Sequence, residues 1–283
     1  MDIAICLIIK NENLYLREWV KYYKDLGAAA IILYDNNDID GEYPQQVIGD
    51  YVADGFVKYH DVRGKYRYQL GAYGNCCAMY RDKYDWICFF DTDEYLTFSN
   101  NQDINGFFGQ DVFKDETVEM LAVYWTIYGD NNLLHYDGRP MFERFTTPKE
   151  HSDVANTYKM CLRGKGSKLW NITWLDANML TYYYPEGSKV NTLLPSLKYA
   201  ENLSLYQQGC WDNVVLNHYN TLTIEEFLYR RFCRRGYADM ATDFNKDRVM
   251  KIFYDINEIT PEKESIINDF FSKFNFNEDN ING

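Results

Sequence analysis

Between residues 3 and 90 the chain alternates short apolar runs with helical spacing of apolar residues, and this alternation is the tightest constraint in the sequence. Ile3 to Ile9 is a near-continuous apolar run, the pattern of a parallel strand buried on both faces. Asn11 and Asn13 offer N-caps for a helix whose positions Leu16, Trp19, Val20, Tyr23 and Leu26 follow i, i+3, i+4 spacing and stop at Gly27. Ala28 to Tyr34 is the next run. Pro44 suits the first turn of a helix from Gln45 to Ala53, and Asp54-Gly55 turns the chain into a strand from Phe56 to His60. Residues 68–84 read as a third helix and Trp86 to Phe90 as a fourth strand. Such repetition predicts βαβ units on a parallel, right-handed sheet. In sheets of this kind ligands bind beyond the carboxyl ends of the strands. The rule selects Lys10, Asn11 and Glu12, then Asp35 and Asn36, then Asp61, and finally Asp91, Asp93 and Glu94.

The second half is less regular. Val118 to Tyr128, Tyr158 to Arg163, Asn171 to Leu175 and Val214 to Tyr219 read as strands. Thr223 with Glu226 is a capping-box pattern opening a helix to about Arg235, with Gly236 as its stop. Pro261 begins a last amphipathic helix carrying Ile266, Ile267, Phe270, Phe271 and Phe274.

Composition narrows the function classes. A chain with 46% hydrophobic and 25% charged residues is globular rather than disordered or fibrous. Its 42 acidic against 29 basic residues give a net charge of −13, which argues against nucleic acid as a partner, because that affinity rests on phosphate neutralisation. The 26 tyrosines and 17 phenylalanines fit either sugar stacking or core filling. Seven cysteines, at 6, 76, 77, 88, 161, 210 and 233, form no C-x-x-C pair and several lie in apolar runs, which fits reduced, buried thiols. The apolar start is too short and wrongly flanked for a signal peptide, and no segment reaches about 18 apolar residues. These features place the chain in the cytoplasm, with the sequons at Asn171 and Asn202 carrying no meaning.

The chemistry concentrates at Trp86-Ile87-Cys88-Phe89-Phe90-Asp91-Thr92-Asp93-Glu94. Residues i and i+2 of extended backbone point the same way, so Asp91 and Asp93 are expected to aim carboxylates at one point. Two like charges that close favour a hard divalent cation, and Mg²⁺ or Mn²⁺ held by one or two carboxylates completes its shell from water and phosphates. A second D-x-D, Asp38 and Asp40, loosely resembles an EF-hand loop but has Val47 where a bidentate Glu is needed; it reads as a solvated turn.

Several ordered motifs together suggest a family. Lys10-Asn11-Glu12, Leu16-Arg17-Glu18-Trp19, Leu26-Gly27, Tyr34-Asp35-Asn36, Phe90-Asp91-Thr92-Asp93-Glu94-Tyr95-Leu96, Trp125-Thr126-Ile127-Tyr128-Gly129, Asn217-His218-Tyr219, Phe227 and Arg235-Gly236 resemble the family 92 and related family 2 glycosyltransferases. The resemblance spans residues 5–236 and implies an α/β GT-A fold: a Rossmann-like, mostly parallel sheet flanked by helices with a less regular acceptor-side half. It implies a domain over residues 1–240, divided into a nucleotide-sugar half (1–98) and an acceptor half (99–240), with 241–283 as a C-terminal helical extension. It also implies a UDP-sugar donor and Mn²⁺ (or Mg²⁺) bridging the diphosphate to the D-x-D carboxylates. Asp91 would lie toward ribose and metal and Asp93 would be the direct ligand. Asp35 would accept from uracil N3, Lys10, Asn11, Glu12 and Asn36 would line the nucleoside, and Arg67 and Gln69 would meet the base or diphosphate. His218 matches the position that closes the metal shell in many such enzymes; a hydrogen-bonded strand histidine is the equally supported reading.

These families invert the anomeric centre, so a carboxylate of the second half should take the acceptor proton. Asp130, Asp153, Asp176 and Asp212 are candidates; Asp176, beside Trp174 near a strand end, is preferred. The family commonly has a His in this stretch, so the acceptor side departs from its pattern. Trp125, Tyr128, Trp170, Trp174 and Trp211 offer sugar-stacking surfaces or core packing. Arg230, Arg231, Arg234 and Arg235 form the one dense basic patch, read as a solvated helix face or as a contact to a diphosphate or the inner membrane surface. The sequence thus predicts an inverting, metal-dependent hexosyltransferase, with galactose the first sugar by analogy and an oligosaccharide or lipid-linked glycan as acceptor. A nucleotidyltransferase and a non-catalytic, metal-dependent carbohydrate-binding protein are the rivals.

Overall fold

Apolar runs without polar alternation can only be buried on both faces, and the first strand, β1 (Ile3–Ile9), lies central in its sheet with nearly every side chain inaccessible. The computed structural model describes residues 1–99, 101–149, 158–167, 214–234 and 245–273, and the backbone of short strands between 171 and 200. In chain order the elements begin β1, α1 (Asn13–Asp25), β2 (Ala30–Asp35), α2 (Gln45–Ala53), β3 (Val57–Asp61), α3 (Gln69–Tyr80), β4 (Trp86–Phe89). They continue as β5 (Glu94–Phe98), α4 (Ile104–Phe108), β6 (Val118–Ile127), α5 (Met141–Arg144), β7 (Tyr158–Arg163), β8 (Asn171–Asp176) and β9 (Met179–Tyr183). The last are β10 (Asn191–Leu193), β11 (Tyr199–Ala200), β12 (Val214–His218), α6 (Ile224–Leu228), α7 (Lys246–Ile256) and α8 (Pro261–Lys273).

The main sheet runs β11-β10-β6-β7-β4-β1-β2-β3, and β5 and β12 join it off that path. β1, β2, β3 and β4 are parallel, as the βαβ pattern predicts, while β7 runs antiparallel to both β4 and β6. The mixed α/β sheet flanked by helices expected from the sequence is therefore present. Register aligns Ile9 with Asp35 and Asp35 with Asp61, so three carboxyl ends finish in one row.

Two compact units are distinguished: Met1–Thr126 with Asp153–Asn217, and Ile127–Ser152 with His218–Gly283. In the first, Cys6, Ile32, Tyr34, Phe89, Ala122 and Met160 of the sheet pack against Ala72, Tyr73 and Cys76 of α3. In the second, Ile224, Phe227 and Leu228 of α6 pack on Met250 and Phe253 of α7 and Ile267 of α8. The Thr223–Glu226 capping box forms as predicted. The helical run it opens reaches Arg234, close to the expected end, but only Ile224–Leu228 (α6) is α-helical and Tyr229–Arg234 is π-helical. β5 has no counterpart in the sequence reading, whereas α7 falls in the stretch 241–283 expected as a helical extension.

Five cysteines of the described residues, Cys6, Cys76, Cys77, Cys88 and Cys161, are buried thiols outside any disulfide; Cys233 is an exposed thiol, and Cys210 lies outside the described residues. Among the described residues no helix is long and apolar enough to cross a membrane.

Candidate active site

The backbone from Asp91 to Glu94 forms a turn and does not continue the extended strand β4. Phe89 ends β4, and the Glu94 N–H donates to the Asp91 carbonyl at 3.1 Å, closing a turn before β5 begins. The expectation that alternate residues of a strand aim both carboxylates alike is corrected accordingly. The turn forms because Glu94 closes it twice: its Oε2 also accepts the Asp91 N–H at 2.9 Å. Helix α1 fixes the far side. Trp19 Nε1 and the Tyr23 hydroxyl each donate to the Glu94 carbonyl at 3.0 Å, and Tyr22 OH donates to the Leu96 carbonyl at 2.7 Å. Thus the helix spacing read from the sequence serves to hold the strand that follows the acidic turn.

The two aspartates end up in different surroundings. The Asp91 side chain is 37% exposed, whereas Asp93 and Glu94 are buried. Between Asp91 and Glu94 lies a side chain the sequence reading missed. Lys159 on β7 donates from Nζ to Asp91 Oδ2 at 2.6 Å, and its Nζ is 3.4 Å from Glu94 Oε1. β7 is antiparallel to β4 with Cys161 opposite Cys88, so the beginning of β7 reaches the carboxyl end of β4. Tyr158, Met160 and Leu162 face the core, and Lys159 takes the alternate face. A lone lysine inside the apolar stretch Tyr158-Lys159-Met160-Cys161-Leu162 was the available signal, since a buried lysine needs a partner. Burial pushes the Glu94 carboxyl up to about 8, against the lowering effect of Lys159. Burial works to lower Lys159, but the two carboxylates outweigh it and the ammonium is held above its ordinary value.

The nucleoside-side candidates form a polar chain across the ends of β1, β2 and β3. Asn11, in the left-handed region at φ 53°, donates its N–H to Asn37 Oδ1 at 2.7 Å. Asn37 donates its own N–H and Nδ2 to Asp35 Oδ1, and Tyr59 OH donates to Asp35 Oδ2 at 2.6 Å. Asp35 is fully buried with both oxygens engaged, so contact with a base through it requires exchange of one of these partners. Burial and the Asp35 hydrogen bond raise Tyr59 to about 12. Lys10 pairs with Asp38 at 2.9 Å, Glu12 is buried at the start of α1, and Asn36 Nδ2 donates to the Val62 and Lys65 carbonyls. Asp38 begins a turn closed by the Gly41 N–H, the solvated-turn reading of the second D-x-D. Arg67, at φ 49°, lies 5.3 Å from the Tyr66 ring, and Gln69 Nε2 donates to Tyr73 OH.

Other candidates fare differently. Asp130, in the second unit, is not a free carboxylate: Oδ2 lies 2.6 Å from Lys263 Nζ and Oδ1 accepts the Asn132 N–H. His218 is buried in the second unit at the end of β12 and its carbonyl accepts the Tyr128 N–H. Asp176 ends β8, and its side chain lies outside the described residues, as do Asp153, Asp212, Trp170, Trp211 and the side chain of Trp174. Trp125 is buried, in keeping with core packing. Arg230 is 8% exposed and so does not belong to a solvated face; Arg231 is half-buried, and the Arg234 side chain and Arg235 lie outside the described residues.

Among the described residues no group of three or more His, Cys, Asp or Glu side chains converges on a point that could hold a metal. Asp91 and Asp93 are hard oxygen donors, and Asp91 faces solvent; with water and phosphate oxygens they fit Mg²⁺ or Mn²⁺, which needs only one or two carboxylates.

Parallel strands ending together in a row of polar loops, with an acidic turn at the fourth, define an open α/β protein, a class in which ligands bind beyond the carboxyl ends of the strands. Residues 2–168 match the profile of Glycosyltransferase family 92, more than half of the chain, and the protein belongs to that family. A glycosyltransferase family 92 protein of Oryza sativa subsp. japonica is 26% identical over 118 residues, 42% of this chain and 19% of that protein. One from Ricinus communis is 24% identical over 166 residues, 54% of this chain and 28% of that protein. The chain thus spans less than a third of these relatives' length. Among solved structures, S. aureus TarS in complex with UDP aligns over 99% of this chain and 77% of its own at 11% identity and a TM-score of 0.41. Glucosyl-3-phosphoglycerate synthase from Mycobacterium tuberculosis, in complex with Mn²⁺, UDP and glucosyl-3-phosphoglycerate, aligns over 57% and 56% at 14% identity and a TM-score of 0.32. Likenesses at that level add nothing to the family match.

Proposed function

We propose that this protein is an inverting glycosyltransferase that moves a hexose, galactose in the first instance, from a UDP-sugar to a hydroxyl of an oligosaccharide or lipid-linked glycan. The observation that carries the reading is the acidic turn Asp91–Glu94 at the carboxyl end of a parallel strand in a family 92 member. Asp93 and the solvent-facing Asp91 would hold Mn²⁺ or Mg²⁺, which when bound supplies Lewis-acid stabilisation of the departing diphosphate. The chain from Asn11 through Asn37 and Asp35 to Tyr59 orders the loops that would meet the nucleoside, with Lys10, Glu12, Asn36, Arg67 and Gln69 around them. A carboxylate must take the acceptor proton; Asp176 is the residue to test, because Asp130 is already paired with Lys263. His218 is retained as a candidate further ligand, and contact with the inner face of a membrane as a candidate setting for the acceptor.

The test is a thermal-shift screen of nucleotides and nucleotide-sugars with and without Mn²⁺, followed by donor hydrolysis, in the wild type and Asp93→Ala. Ligands that bind only the folded state raise its melting temperature. Expected is a Mn²⁺-dependent shift with UDP, slow release of UDP from one UDP-hexose, and loss of both in D93A. A shift with a different nucleotide alone overturns the uridine assignment. Binding without UDP release from any donor would favour a carbohydrate-binding protein.

A further inference from the structure

Lys159 is buried, yet one of its two partners opens to solvent and the other does not. Its ammonium already sits where a cation bridging Asp91 and Glu94 would sit, 2.6 Å from Oδ2 of one and 3.4 Å from Oε1 of the other, with the Trp125 ring 5.9 Å away. Glu94 has no route to solvent and its second oxygen accepts the Asp91 N–H. Of the groups around Lys159, the side chain of Asp91 is the one that opens to solvent, where a divalent ion could approach it.

We infer that Lys159 is a positioning residue, an internal cation that reserves Glu94 and one oxygen of Asp91, so that a divalent metal is held weakly until a nucleoside diphosphate supplies the missing charge and oxygens. The physical basis is charge addition. A fixed positive charge beside a divalent ion opposes its binding. The diphosphate reverses that balance. Lys159 has only 3% of its side chain exposed, so it acts through Asp91 and is not a catalytic residue.

This inference rests on the glycosyltransferase reading, and the experiment separates the two. Mn²⁺ binding to the whole chain is measured by the loss of the free-ion electron paramagnetic resonance signal, alone and with UDP, for the wild type, Lys159→Met and Lys159→Arg. The wild type should bind Mn²⁺ weakly alone and at least about tenfold more tightly with UDP. K159M should bind Mn²⁺ alone about tenfold or more tightly than the wild type, with a smaller gain from UDP. K159R should keep the wild-type pattern, and adding Asp91→Asn to K159M should cancel its gain. A purely structural lysine would leave Mn²⁺ affinity unchanged or reduced in folded K159M, and that result overturns the inference alone. A wild type that binds neither Mn²⁺ nor UDP overturns the transferase reading and this inference with it. If K159M does not fold, Lys159→Met with Glu94→Gln removes both buried charges together and carries the same prediction, tighter Mn²⁺ without nucleotide.

Discussion

Among the described residues, two lysines are buried against an aspartate, one in each unit, at the same 2.6 Å. They differ in what encloses the pair. Lys263 also donates to Asn132 Oδ1 and to the Glu258 carbonyl, and its partner Asp130 is itself buried. Every donor of that ammonium is used within the protein, and α8 is thereby fastened to the loop after β6. Lys159 faces two carboxylates, one of which lies open to solvent. A closed pair holds a fold together, whereas a half-open pair holds a charged surface in place for something else to use.

Substitution is the direct way to break that contrast. Lys263→Met leaves Asp130 charged and enclosed, and should cost about 3–5 kcal/mol of stability, a large fraction of what a domain has. K159M should cost less, because Asp91 can be hydrated and the buried Glu94 carboxyl, already pushed up to about 8, can take up a proton. Urea melts monitored by circular dichroism check this, and equal losses would remove the distinction. Next in size, Asp93→Ala, checked by circular dichroism to be folded, should lower Mn²⁺-dependent UDP affinity by at least about a hundredfold, given that even groups behind metal ligands cost up to that much. Tyr59→Phe removes one hydrogen bond to Asp35 and should cost about 1 kcal/mol, read as a lower urea midpoint. The smallest effect concerns His60, stacked on Tyr34 at 4.7 Å and bonded to Tyr80 OH, whose pKa burial lowers below the ordinary 6.5. A depressed histidine contributes stability that is present above the unfolded pKa and is lost as pH falls through the folded one. The wild-type melting temperature should therefore decline from pH 7 to 5, and His60→Gln should flatten that slope.

Much of the first unit was legible because its signals are local. The 3.6-residue spacing of Leu16, Trp19, Val20 and Tyr23 and the unbroken run Ile3–Ile9 each specify an element without reference to the rest of the chain. The strand-end rule then located Asp35 and Asp91. What escaped depended on pairing between distant residues. Lys159 and Asp91 are 68 positions apart, and only the antiparallel register of β7 with β4 brings them together. Asp130 looked like any loop carboxylate because Lys263 lies on a helix far along the chain. The turn at Asp91 was misread as extended because Glu94, read only as one more acidic residue at the strand end, closes it. Strand β5 went unnoticed because it starts within the acidic motif itself.

The polar chain from Asn11 to Tyr59 has a consequence for how a site of this kind can diversify. Its members stitch the roots of three loops to one another, so replacing any of them disturbs all three at once. The tips are under no such obligation: Ile39 and Tyr66 stand 74% and 71% exposed on the two loops that follow β2 and β3. New ligand preferences along this edge are best sought by varying those two tips, while the stitched roots are left as the unvarying ground beneath them.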